Sequence, residues 1–125
     1  MDRNLILVGL GGLIGSILRY LASLAVASYA TTLFPFATLA VNVIGCFLIG
    51  LTLAIGERWA FLTPEWRIFL TTGLCGGFTT FSTFSYESIG LLLDGQLLLV
   101  SVNVVGSVFL GFAATYLAIA IVRGL

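Results

Sequence analysis

The chain of 125 residues contains no histidine and no lysine, and its charged groups are five arginines and five carboxylates. Charged residues make up 8% of the sequence and hydrophobic residues 60%, whereas a soluble domain is about a quarter charged. Without a basic patch the chain does not resemble a nucleic-acid-binding protein, and without histidine it offers neither a usual zinc site nor a histidine-activated nucleophile. The composition therefore predicts an integral membrane protein that is not an enzyme.

Cysteine is also scarce, and the two that are present, Cys46 and Cys75, both lie in apolar stretches. We interpret them as small packing residues rather than as parts of a disulfide framework. The sequence Ala25-Val26-Ala27 resembles a signal-peptide cleavage site, but Arg19 interrupts the apolar run that such a peptide requires. We therefore expect the first span to be retained.

The apolar runs predict how the chain crosses the membrane. A spanning helix needs roughly 20 apolar residues, so four spans fit and leave only short loops. We predict an all-α membrane protein with a single domain, residues 1–125, and spans at about 5–28, 37–56, 65–93 and 96–122.

Two short motifs predict helix ends. Thr63-Pro64-Glu65 has the order of a helix start, with an N-cap threonine, proline in the first turn, and an acid near the positive helix end. Asp94-Gly95 predicts a tight turn between the third and fourth spans.

The segment 73–85 differs from the rest of the chain. Its thirteen residues include three glycines, five serine or threonine hydroxyls and three phenylalanines. The adjacent glycines Gly76 and Gly77 favour either a helix break or a very close contact. Backbone freed by a break inside a membrane survives only where it is buried in protein or lines a wet cavity. We predict that the third span is broken in mid-membrane and that the rest of the chain supports this segment.

Polar residues on the other spans have alternative interpretations. Arg19 is a charge within the first span, and it either lies at the mouth of a polar path or reaches an interface or a neighbouring helix's carbonyls. Asn42 either fixes helix packing or lines the path. The fourth span has small and polar residues at steps of four, which form a polar track or a packing face. These residues are Asn103, Ser107, Gly111 and Thr115.

The residue types favour an anion over a cation. No carboxylate lies at mid-membrane, whereas hydroxyl groups, including those of Thr80, Ser82 and Thr83, can donate hydrogen bonds to a dehydrated anion. Phe81 and Phe84 are three residues apart, and the edge of an aromatic ring is electropositive. Carbonyls freed at 76–79 would instead suit a cation.

The run GLCGGFTTFSTFSYE, with TLAVNVIG before it and NVVGS after it, closely resembles the Fluc (CrcB) family of small bacterial fluoride channels. The resemblance covers essentially the whole chain. It implies a dimer of two subunits in opposite orientations in the bacterial cytoplasmic (inner) membrane, with two fluoride pores along the interface. Such a channel lets fluoride leave the cell passively, excludes chloride and reduces fluoride toxicity.

The resemblance also assigns roles to residues. It implies fluoride contacts from Phe81, Phe84 and Asn42, a polar track at Asn103 and Ser107, a functional glutamate at Glu87, and a vestibule arginine at Arg19. It further implies a structural sodium ion at the dimer interface, held by backbone carbonyls at Gly76 and Thr79.

Two features depart from the family pattern. The position one turn after Ser107, which is often threonine in the family, is Gly111. The loop arginines also fall on one side of a four-span arrangement, which biases orientation and leaves a heterodimer of opposed subunits as an alternative to a homodimer. These residues are Arg3, Arg58, Arg67 and Arg123.

Two other classes of membrane protein are alternatives to a fluoride channel. A small four-span multidrug exporter needs a carboxylate in its first span for proton coupling, and this chain has Arg19 there instead. A structural membrane subunit would explain the glycine-rich faces but not the Thr/Ser/Phe run of 73–85.

Overall fold

The structure is a computed structural model that describes residues 2–124. These residues are helical with short connections and contain no strand, so the predicted all-α class is confirmed. The elements are α1 (Asp2–Tyr29), α2 (Phe36–Arg58), α3 (Pro64–Ile68), a π-helical segment (Phe69–Cys75), α4 (Gly76–Phe78), α5 (Phe81–Leu93) and α6 (Leu97–Gly124). We refer to α3, the π-helical segment and α4, which follow one another without interruption, as the 64–78 helix.

Three of these helices, α1, α2 and α6, are long and apolar enough to cross a membrane. α1 and α2 extend slightly beyond both limits predicted from the sequence, whereas α6 begins one residue later and ends two residues later than predicted. The remaining predicted span, 65–93, consists of the 64–78 helix and α5, with Thr79 and Thr80 in extended conformation between them.

Both helix-end predictions are confirmed. The Trp66 N–H donates to Thr63 Oγ1 at 3.4 Å, and Pro64 occupies the first helical position. After α5 the chain turns at Gly95, whose φ of 75° lies in the left-handed region that glycine enters most readily.

α1 packs directly on the backbone of the 64–78 helix. A Cβ added to Gly11 would lie 2.5 Å from the Phe69 carbonyl oxygen, and one added to Gly77 would lie 2.6 Å from the Gly12 carbonyl oxygen. Gly15 faces the Leu74 carbonyl oxygen with similarly little space. Glycine therefore allows these two helices to approach closely.

α2 packs along α6. Thr115 Oγ1 donates to the Cys46 carbonyl at 2.9 Å, and a Cβ on Gly50 would lie 2.8 Å from the Thr115 carbonyl oxygen. A Cβ on Gly111 would be 3.3 Å from Cys46 Sγ. Of the two interpretations of the α6 face, packing therefore holds for the half that carries Gly111 and Thr115.

The arginines predicted to share one side do gather at one end of the helices. Arg3 pairs with Glu65 at 2.6 Å, and Arg123 lies 3.9 Å from Glu57. Arg58 donates to the carbonyl of Val122 and stacks over a tryptophan ring, with its guanidinium carbon 4.9 Å from the ring centroid. Trp59 and Trp66 are neighbours of these charged residues in the sequence, so this end has the composition of a membrane–water boundary.

Candidate functional site

The site centres on the two extended residues between the 64–78 helix and α5. Thr79 has φ −85° and ψ 157°, and Thr80 has φ −150° and ψ 117°. The N–H and the hydroxyl of Thr79 both donate to the Cys75 carbonyl at 2.9 Å and so cap the C-terminal end of the 64–78 helix. Thr80 Oγ1 accepts from the Thr83 N–H at 3.2 Å and so caps the start of α5. The threonine side chains therefore cap the end of the 64–78 helix and the start of α5.

The adjacent glycines do not themselves form the interruption. Gly76 and Gly77 are part of α4, and Gly77 lies against the Gly12 backbone on α1. Of the two roles that the sequence left open for this pair, close contact applies to Gly77, and the extended residues come two positions later.

Asn42 on α2 holds Thr80 by two hydrogen bonds. The Thr80 N–H donates to Asn42 Oδ1 at 2.8 Å, and Asn42 Nδ2 donates to the Thr80 carbonyl at 3.0 Å. In a continuous helix the Thr80 N–H would bond to the Gly76 carbonyl. The side chain of Asn42 takes that donor instead, so the Gly76 carbonyl loses its helical partner.

A cavity of about 350 Å³ lies beside the extended residues. It brings together Asn42 and Thr80, which were predicted as pore residues, the carbonyl positions Gly76 and Thr79, and the ring of Phe81. Among residues 2–124 there is no cluster of three His, Cys, Asp or Glu side chains that would bind a metal ion, so a cation here would depend on carbonyl and hydroxyl oxygens.

Phe81 and Phe84 lie side by side at the start of α5. Their ring centroids are 5.8 Å apart, with the ring planes tilted by 45°. Phe84 is half-buried, whereas Phe81 is 79% exposed in the single chain. An edge contact between the Phe81 ring and an ion would therefore remain open to lipid or water until another surface covers it.

The hydroxyls predicted from the sequence cluster around Thr80. Its Oγ1 lies 3.1 Å from Thr83 Oγ1 and 3.3 Å from Ser82 Oγ. Ser82 is exposed and Thr83 is half-buried, so these hydroxyls continue from the cavity toward the surface of the chain.

Glu87, one turn beyond Phe84, accepts a hydrogen bond from Thr38 on α2. Thr38 is buried, and Glu87 is half-buried. Glu87 was predicted from the sequence as a functional residue, but Thr38 was not. The sequence signal for Thr38 is its spacing of four residues before Asn42, which places both side chains on the same face of α2.

Asn103 on α6 is 1% exposed and donates to Ser88 Oγ on α5 at 3.0 Å. Ser107 donates to Asn103 Oδ1 at 3.4 Å. The first half of the predicted track is therefore a chain of polar groups between α5 and α6. Neither Asn103 nor Ser107 lines the cavity that contains Thr80 and Phe81.

Arg19 points from α1 to the 64–78 helix, where its Nε donates to the Gly77 carbonyl at 3.1 Å. It does not line the cavity at Thr80. Of the interpretations considered for this residue, binding to a neighbouring helix's carbonyl is the one that the structure supports.

Comparisons with known proteins extend over nearly the whole chain. The profile of the family described as "CrcB-like protein, Camphor Resistance (CrcB)" matches residues 6–119. A protein of Chlorobaculum tepidum named "Fluoride-specific ion channel FluC" is 51% identical over 91% of this chain and 90% of its own length. A protein of the same name from Flavobacterium psychrophilum is 44% identical over 98% of this chain and 99% of its own length. A third, from Geotalea daltonii, is 46% identical over 97% of this chain and 98% of its own.

These matches include the segment 73–85 and the helices that hold it. The resemblance first drawn from that run is therefore supported by the sequence as a whole, and the chain belongs to the CrcB-like protein family.

Proposed function

We propose that this chain is a fluoride-selective ion channel that lets fluoride leave the cell passively across the bacterial cytoplasmic membrane. The observation that carries the proposal is the identity of 44–51%, over at least nine-tenths of this chain, with two relatives named fluoride-specific ion channels. A channel moves an ion along its gradient without making or breaking covalent bonds, so no catalytic residue is assigned. The long apolar helices make the chain a multi-pass membrane protein.

The local geometry is consistent with a narrow anion path. Fluoride holds its water tightly, so a site must replace that water with well-placed donors. The hydroxyls of Thr80, Ser82 and Thr83 form one group beside the exposed ring of Phe81. We propose that the edges of Phe81 and Phe84 and these hydroxyls contact the ion.

Further along α5 and α6, we propose that the path continues past Glu87, Asn103 and Ser107. The Ser107–Asn103–Ser88 chain supports this route because it provides polar side chains between two apolar helices. Asn42 contributes mainly through its hold on the Thr80 backbone, which keeps Phe81 at the cavity.

We propose that residues 64–93 cross the membrane once as a span broken at Thr79 and Thr80, which would make four spans with α1, α2 and α6. Threonine side chains cap both helix ends at this break, and this supports the proposal because backbone groups inside a membrane need hydrogen-bond partners. The carbonyls of Gly76 and Thr79 would hold a sodium ion, which would supply a fixed positive charge at the subunit interface. The Gly76 carbonyl fits that use because Asn42 has taken its helical N–H partner.

We propose that two copies pair in opposite orientations. Two observations on the single chain support a second copy: the ring of Phe81 is uncovered, and α6 presents an apolar groove of about 630 Å³. Phe109, Phe112 and Tyr116 line that groove, and exposed aromatics of this kind are enriched at interfaces. A heterodimer is the alternative, because the clustered arginines favour one orientation.

The test is ion efflux from liposomes that contain the purified protein, with fluoride and chloride electrodes read in parallel and a proton shunt present. Fast fluoride loss without chloride loss is expected. Equal loss of both ions would overturn the selectivity proposal. If a folded dimer passed no fluoride, the homodimer proposal would fail, and co-expression with an oppositely oriented relative would test the heterodimer.

A further inference from the structure

Arg19 ends on a backbone group that the fold leaves without its helical partner. Its Nε donates to the Gly77 carbonyl at 3.1 Å, across 58 residues of sequence. In a continuous helix the Gly77 carbonyl would accept from the N–H of Phe81. Because Thr79 and Thr80 are extended, Phe81 starts a new helix, and Gly77 carries one of the unpaired carbonyls of a helix C-terminus.

The charges of the two groups are complementary. A helix C-terminus carries a partial negative charge, which a cation stabilises. An arginine inside an apolar span also needs a polar partner. Among residues 2–124 the ion pairs are Arg3–Glu65 and Arg123–Glu57, so Arg19 has no carboxylate partner there. The guanidinium therefore supplies a donor for the Gly77 carbonyl, and the carbonyl supplies a polar partner for the guanidinium.

The sequence of α1 brings this contact about. Gly11, Gly15 and Arg19 are spaced by four residues and so lie on one helix face. Gly11 faces the Phe69 carbonyl and Gly15 faces the Leu74 carbonyl, so the backbones approach closely along the two turns before Arg19. At that separation the side chain reaches the end of the 64–78 helix.

We infer that Arg19 is a positioning residue, which caps the C-terminal end of the 64–78 helix from α1 and thereby fixes where the chain becomes extended and where Phe81 begins α5. The inference rests on the proposed channel function for its consequence on ion flux. It differs from a role in which the charge of Arg19 attracts anions from the water, because here the hydrogen bond from Nε to the Gly77 carbonyl carries most of the effect and the charge only adds to it.

Two substitutions separate the donor from the charge. Arg19→Gln removes the charge but places Nε2, which carries hydrogens, at the same number of bonds from Cα as the arginine Nε. Arg19→Met has a stem of similar length and neither donor nor charge. We expect the Gln variant to retain fluoride efflux within about threefold of the unmodified chain. We expect efflux through the Met variant to fall about tenfold, because that substitution leaves one buried carbonyl without a donor.

Two further readouts distinguish positioning from general stability. Hydrogen exchange at the backbone amides of 79–83 should speed up in the Met variant and stay unchanged in the Gln variant. If Arg19 steered anions by its charge, fluoride efflux would depend on ionic strength and Arg19→Gln would weaken that dependence. Since we assign Arg19 a positioning role, we expect the unmodified chain and the Gln variant to show the same dependence on ionic strength.

The inference is overturned if a folded Gln dimer loses efflux as severely as the Met variant, or loses a salt dependence that the unmodified chain has. Should the Met variant not fold, the Gln variant alone decides between the two roles. If the unmodified chain passes no fluoride, the proposed function fails, while the exchange comparison between the variants still tests the cap.

Discussion

The side chain of Asn42 and the backbone of Thr80 exchange two hydrogen bonds, in which the Thr80 N–H donates to Oδ1 and Nδ2 donates to the Thr80 carbonyl. An amide can do this because it has a donor and an acceptor on adjacent atoms. The extended conformation of Thr80 is thus fixed by a residue on another helix.

Asn42→Asp should lower fluoride efflux by about tenfold or more, because it leaves a backbone carbonyl without its donor and places a carboxylate beside it. Efflux from liposomes, measured with a fluoride electrode, tests this. The exposed Asn4 provides the control, and Asn4→Ala should leave efflux unchanged. An Asn42→Asp variant with normal efflux would show that the hydrogen bond to the Thr80 carbonyl is dispensable.

Phe81→Ile and Phe84→Ile should each lower fluoride efflux by about three- to tenfold while leaving the dimer assembled, because isoleucine fills space but has no electropositive ring edge. Efflux and size-exclusion chromatography give the two readouts. Phe61→Ile is the matched control, since Phe61 is 72% exposed and lies in the loop between α2 and α3. Unchanged efflux in both α5 variants would make these rings ordinary packing residues.

Gly15→Ala should destabilise the protein by about 1–3 kcal/mol or prevent its assembly, because the added methyl meets the backbone of the 64–78 helix. Thermal unfolding in detergent, followed by tryptophan fluorescence, measures the change. Gly9 on the same helix has nothing within 4 Å of an added Cβ, so Gly9→Ala should be neutral or slightly stabilising. Equal unfolding temperatures for the two variants would contradict the close packing.

Thr38→Val should lower stability by about 1–3 kcal/mol, because it removes the hydroxyl that donates to the half-buried Glu87 carboxylate. Thr38→Ser keeps the hydroxyl and should behave like the unmodified chain in both thermal unfolding and fluoride efflux. The bond has no such role if the serine and valine variants unfold at the same temperature.

The sequence predicted well those features that depend on neighbouring residues. Thr63 and Pro64 start a helix, and Gly95 forms the turn after α5, because caps and turns are decided within a few residues. The long apolar helices could likewise be read from composition, since a run of about 20 apolar residues has few other uses.

Features that depend on distant contacts were harder to predict. The glycine pair at Gly76 and Gly77 drew attention to the correct region, but the extended residues are Thr79 and Thr80. Their position depends on Asn42, which is 38 residues away, and Gly77 is glycine because α1 lies against it. No local pattern contains either fact.

The same limit applies to side-chain partners. Glu87 was predicted as a functional residue, yet its donor Thr38 is 49 residues away, and only the position of Thr38 one turn before Asn42 on α2 pointed to it. The polar track on α6 divides at Ser107, and Thr115 belongs to the packing with α2. Spacing by four residues places side chains on one face but does not say which neighbour that face meets.

The glycine contact between α1 and the 64–78 helix has a consequence for how this chain can vary. At Gly11, Gly15, Gly73 and Gly77 the two surfaces are bare backbone, and glycine is already the smallest residue. Every substitution there adds atoms and none can remove them, so no second change on the facing helix can restore the fit. Most packed surfaces change through compensating pairs of substitutions, but such pairs cannot preserve the contact between α1 and the 64–78 helix. Substitutions on the exposed sides of the two helices do not meet this limit, but along this contact the helices can vary only by moving apart.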